Sequence, residues 1–306
     1  MHHRYHSLLA HPESIFLALG AATMYGITSV LQHSAASEVD AKHSMRPGLV
    51  LQLVRRPRWL LGNLTDLVAI ILQFMALRRG ALLVVQSLLI TGLLFSLPVA
   101  AAVNHRRLQA KEWLSALGLV SGLSVFLMLA NPTRGRSQAT GAGWVAVIAI
   151  TAAAVAVLVG GAPKAAGRAR ARRLGAASGV VFALTAALAK GSGQVLNHGL
   201  YEAVTSWEPY TWLIIASVGF LLAQSALQAG PLDASMPLVV ISDPGASALI
   251  GVVAFHERIA FHPIAVVIEV ASVAVIVLSV FTLTRTRVEC EELQPEPAAP
   301  GNPSSH

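Results

Sequence analysis

A carboxylate sits midway along an apolar stretch at 231–255, where the chain reads Ser242-Asp243-Pro244-Gly245. A charge at that depth in a bilayer costs several kcal/mol unless it is paired, neutralised or solvated. Pro244 removes a backbone donor, and Gly245 lets the chain bend. The pattern predicts a broken or kinked helix presenting Asp243 at the membrane midplane, as carriers do. The structural alternative is a proline kink whose Asp is satisfied by Ser242 or a neighbouring helix.

Four more ionisable residues fall within apolar runs: Asp66, Glu269, Lys190 and His33. Asp66 and Glu269 could bind a proton or a cation, because a carboxylate moving between dry and wet surroundings can load and release one. Either could instead fix helix register through a hydrogen-bonded partner. Lys190 could pair with Glu269 or Asp243, bind an anionic group, or snorkel to the interface. His33 lies close enough to the end of its run to be an ordinary interfacial histidine. Gln86 and Gln224, with Gln73, Gln194, Asn197 and Gln228, supply amides that need partners when buried. The histidine-rich N-terminus matches no standard ligand spacing, so the metal site, if any, is open.

Composition says what must position these groups. The 306 residues are 55% hydrophobic and 12% charged, with a mean hydropathy of +0.63. A soluble chain carries about twice that charged fraction. The net charge of +7 does not indicate nucleic acid, because the basic residues sit in short connections between apolar runs. The single cysteine, Cys290, excludes a disulfide framework within one chain. No Walker loop, nucleophile elbow or His-Glu-x-x-His pair occurs, so neither a nucleotide-driven pump nor a membrane enzyme is expected, and no cofactor.

Nine runs are long enough to span a bilayer, at 15–35, 59–77, 81–103, 112–130, 142–161, 174–195, 209–228, 232–255 and 263–283. The expected fold is an all-α polytopic bundle in the plasma membrane. Odd crossing number puts the termini on opposite faces. Fifteen Lys and Arg fall on one face and six on the other. The basic face should be cytoplasmic, with the N-terminus outside and the C-terminus inside. Residues 1–14 form an external tail, 131–173 a linking helix with a basic loop, and 285–306 a polar tail expected to be disordered.

Internal repetition orders the rest. The segment from Phe16 to Thr28 lies over Arg173 to Thr185, Ala76–Gly80 over Ala226–Gly230, and His105–Leu108 over His256–Ile259. The matches pair a first four-helix unit (15–130) with a second (174–284). Because five crossings separate them, the second unit is inverted, which places a substrate site at the unit interface. Gly118, Gly122, Gly175 and Gly179 recur at helix-packing spacing, for internal packing or for a homodimer.

These residues resemble the drug/metabolite transporter superfamily. The resemblance rests on the repeated Ala-Leu-x-x-Gly connection ending in Gly80 and Gly230, and on the charged turn that keeps Glu257 and Arg258 in its second copy. It covers about residues 15–284. It implies two inverted four-helix repeats and secondary transport of a small metabolite or ion, with proton coupling as one option. Nine spans and an external N-terminus are similar to NIPA-type magnesium transporters, whereas EamA-type members usually show ten. The alternatives are therefore a divalent-cation path and, from another class, a non-transporting membrane scaffold.

Overall fold

The structure is a computed structural model describing residues 12–37, 57–103, 108–132, 135–162, 165, 167–230, 232–258 and 263–292. The expectations for the N-terminal tail up to residue 11, for His105–Arg107 and for 293–306 lie outside those residues. The described residues contain no strand. They form α1 (Pro12–Ser37), α2 (Pro57–Arg79), α3 (Leu82–Leu89), α4 (Gly92–Val103), α5 (Ala110–Ala130), α6 (Gly141–Gly160), α7 (Gly167–Leu196), α8 (Leu200–Thr205), α9 (Glu208–Ala229), α10 (Leu232–Phe255) and α11 (Pro263–Glu292). Among them, nine segments are long and apolar enough to cross a membrane, α3 and α4 counting together as one.

The distribution of polarity is that of a protein dissolved in lipid. Val157 is 75% exposed and Val267 72%, while Lys190 is fully buried and Glu257 only 3% exposed. Such exposed valines and leucines are stable only against acyl chains, where the backbone must satisfy itself within helices. The chain is a multi-pass helical membrane protein. Proline at the first position starts α1, α2 and α11, where its missing N–H has no intrahelical partner to lose. Thr140 caps α6 by accepting from the Gly143 amide at 3.0 Å. Gln109 N–H donates to Glu112 Oε2 at 2.8 Å at the start of α5.

Three elements differ from the sequence reading. The third crossing is two helices, because Ile90 and Thr91 turn with i→i−3 bonds to Ser87 and Leu88 (3.3 and 3.0 Å). α10, where a broken or kinked helix was expected, is not broken: it runs through Pro244 and Gly245 as one helix. A proline removes only one hydrogen bond, and the flanking turns here hold the helix across it. α7 begins at Gly167, so the Arg168–Arg173 cluster forms its first turns rather than a loop, and α11 carries on to Glu292, into the stretch read as a disordered tail.

Helix α1 packs on α2, α3 and α4, and α7 packs on α9 and α10. α5 lies against α11, with Gly118 and Gly122 facing Ser279, Ile276 and the Ser272 carbonyl, so these glycines serve internal packing. Gly175 and Gly179 face the Ser235 and Val239 carbonyls of α10 in the same way. Another close crossing is α1 on the α3–α4 junction. A Cβ added to Gly26 would stand 2.7 Å from the Gly92 carbonyl oxygen, and one added to Gly92 would stand 2.9 Å from that of Ala22. Neither backbone can retreat without parting the helices, and overpacking of this kind costs about 1–3 kcal/mol. Gly26→Val should therefore lower the midpoint of thermal unfolding in detergent; an unchanged midpoint would show that the crossing has slack.

Candidate functional site

Hydrogen bonds join polar residues of α1 and α2, and α10 carries a carboxylate whose charge acts on the same tyrosine. Tyr25 on α1 donates its hydroxyl hydrogen to Gln73 Oε1 on α2 at 2.6 Å. It also lies within Coulombic reach of both Asp66 and Asp243. One turn along α1, Thr28 and Thr65 share a hydroxyl–hydroxyl hydrogen bond of 2.7 Å. Ser247, one turn beyond Asp243 on α10, donates to Asp243 Oδ1 at 3.2 Å. The i, i+4 spacing puts Asp243 and Ser247 on one face of the helix. Tyr25, Asp66, Gln73 and Asp243 all retain some accessible surface. The cluster is thus two carboxylates, a phenol, an amide and several hydroxyls. It can bind a proton, a hard cation or a substrate with hydrogen-bond donors.

The opposite side of α10 is different. Ser242, Gly245, Ala246 and Leu249 line an apolar cavity of about 340 Å³ with Val147 and Thr151 of α6 and Val180 of α7. Its walls suit hydrocarbon rather than an ion.

Lys190 neither snorkels nor meets Glu269 or Asp243. Its Nζ lies 2.6 Å from Glu257 Oε1, with both side chains out of solvent, and 4.4 Å from the centroid of the Phe255 ring. Glu257 also accepts from the backbone amides of Leu82 (2.7 Å) and Leu83 (3.5 Å), at the positive end of α3. His256 reaches φ 52° to turn the chain, and Glu257 N–H returns to the Gly251 carbonyl at 2.9 Å. Trp144 packs edge-on against Phe255 and against Trp207 over the pair. Read from the sequence, Glu257 was only a motif residue. Nothing short of the fold could have brought it to a lysine 67 positions away.

The other expected residues are scattered. Gln86 on α3 is buried, and its Oε1 has no hydrogen-bond partner among the described residues. Gln224 is exposed on α9 and does not line the cluster. Glu269 on α11 has a buried Oε1 that is likewise unpartnered among the described residues, and no hydrogen bond or ion pair joins it to Asp66 or Asp243. The side chain of His33 lies outside the described residues. Arg258 is exposed, and Gly80 and Gly230 end α2 and α9. Tyr25 was missed as a site residue. Its hydroxyl in the middle of an apolar run, three residues before Thr28, was the available signal.

No protein-family model matches the chain, and no solved structure matches it. An uncharacterised protein of Corynebacterium glutamicum is 26% identical over 274 residues, covering 89% of this chain and 95% of its own length. The similarity therefore covers most of the chain rather than one motif.

Proposed function

We propose that the protein is a secondary transporter that carries a small metabolite or ion by alternating access, with its site between α1, α2 and α10. The observation that carries this reading is the cluster around Tyr25. Two carboxylates from different helices lie within reach of one phenol inside the membrane, and they keep accessible surface. A merely structural acid would be expected to close on a partner cation. The buried lysine is already committed to Glu257. Intramembrane carboxylates that face a space inside a bundle mark ion and substrate paths.

Packing supports two inverted units. In each, the first long helix packs on the second and third, and the last helix of one unit packs on the last of the other. The glycine ending the second helix meets the start of the first in both: a Cβ on Gly80 would touch Ser14, and one on Gly230 would touch Ala171. Ser14 and Ala171 are related by the same shift that superposes Phe16 on Arg173. On this reading the basic face is cytoplasmic, and the Lys190–Glu257 end of the bundle is external. A hard divalent cation is the second reading, favoured because the two charges that act on Tyr25 are both carboxylates.

The test is electrophysiology on a solid-supported membrane with the reconstituted protein, challenged in turn with Mg²⁺, small amines, amino acids and sugars, with and without a proton gradient. At least one class should evoke a current that Asp243→Asn removes. Silence across every class with a folded protein would favour a scaffold. Tyr25→Phe should slow the same current about tenfold, since it removes one hydrogen bond and leaves Gln73 Oε1 short of its donor. A current equal to the parent's would place Tyr25 outside the site.

A further inference from the structure

The short helix α3 is set apart from the rest of its crossing. At one end it stops at Ile90 and Thr91, where the bonding tightens to i→i−3 and Thr91 Oγ1 closes on the Leu88 carbonyl at 2.6 Å. At the other end Gly80 and Ala81 separate it from α2. Its seven residues from Leu82 to Leu88 are all buried, packed between α1 on one side and α10 on the other. What fixes its free end belongs to the other unit: the Glu257 carboxylate, held by Lys190, accepts both leading amides. An ion pair sealed from water is worth little as a simple stabiliser, because desolvation offsets most of its attraction. Here it makes the only charged connection described between the α10–α11 turn and the first unit. In that position α3 leaves Gln86 Oε1 without a partner among the described residues.

We propose that α3 is a hinged half-helix gate, closed by the Lys190–Glu257 latch and swinging about Ile90–Gly92 when this end of the bundle opens. The inference rests on the transport reading, for which it names the moving part and the bond that must break. Opening withdraws the Leu82 and Leu83 amides from the carboxylate, while Lys190 and Glu257 remain paired with each other on their own unit. The Phe255 ring that Lys190 Nζ faces at 4.4 Å is itself held edge-on by Trp144. Gly251 belongs to the device as well, since a Cβ there would stand 2.5 Å from Glu257 Oε2 and push the carboxylate off its seat.

The gate is tested by thiol labelling in nanodiscs. Ser87, one turn past the latched amides and 2% exposed, is replaced by cysteine in a Cys290→Ser background. The labelling rate with a polar maleimide is compared between that protein and the same protein carrying Lys190→Met with Glu257→Gln. Removing both charges strands neither, so the double variant should fold, and labelling should quicken roughly tenfold, as for the loss of one charge-assisted hydrogen bond. Gly251→Ala, with every charge in place, should quicken it in the same direction. A cysteine at Ser178, buried in α7, should label equally slowly in all of them. Unchanged labelling at position 87 in a monodisperse double variant overturns the proposal. So does equal acceleration at positions 87 and 178, or a double variant that does not fold, because the pair would then hold the whole bundle. Labelling needs no substrate: the expected rates in a protein without flux would sink the transport reading and leave the gate standing.

Discussion

Asp243→Asn should reduce substrate-evoked flux by roughly a hundredfold while leaving membrane insertion and the unfolding midpoint near those of the parent. The asparagine keeps the shape and can still accept from Ser247, which lies 3.2 Å from Oδ1. It cannot carry a negative charge or exchange a proton. A charge-assisted contact is worth about 1.5–3 kcal/mol, and losing it where the substrate or coupling ion must be held gives a rate loss of that order. Asp66→Asn should act in the same direction, since it also lies within Coulombic reach of Tyr25. If Asp243 only fixes helix register, Asn will substitute freely and flux will survive. A scaffold would tolerate the change too and fail instead on alterations of its connecting loops. The measurement is the initial rate in proteoliposomes, normalised to the amount of protein inserted.

The helical crossings were legible because lipid imposes one rule on every residue of a span. A run of about 20 apolar residues has no stable alternative to a helix, and the positions of all nine crossings followed from that. The details that failed depend on contacts between segments distant in sequence. Pro244 and Gly245 carry the local signature of a break, yet α10 continues through them, whereas Ile90-Thr91-Gly92 looks unremarkable and interrupts the helix. At that interruption the backbone of α1 at Ala22 lies close against Gly92. Lys190 was expected to seek water or a carboxylate in a span. Its true partner lies just past the end of α10, on a turn that His256 makes possible by entering the left-handed region. The acids Asp66 and Asp243 were visible as chemistry, but the tyrosine on which both charges act was hidden among the apolar residues of α1.

The largest stability effect should come from stranding one member of the latch. Lys190→Met alone leaves the Glu257 carboxylate buried with only the α3 amides to hold it, and Glu257→Gln alone leaves a buried ammonium facing a neutral amide. Each single change should cost about 3–5 kcal/mol, the usual penalty of an uncompensated buried charge. The double variant, Lys190→Met with Glu257→Gln, leaves a methionine against the Phe255 ring, where sulfur packs well, and a glutamine whose oxygen can still accept from Leu82. It should recover most of what either single change loses, so the coupling in the cycle should be large and positive. Thermal unfolding of the four proteins in one detergent measures it. Additive losses would mean that the two side chains do not feel each other inside the bundle, and that Glu257 holds α3 without help from Lys190. Recovery would show that the fold needs the two charges only in each other's company, which is the condition for a pair that stays intact while the α3 amides leave and return.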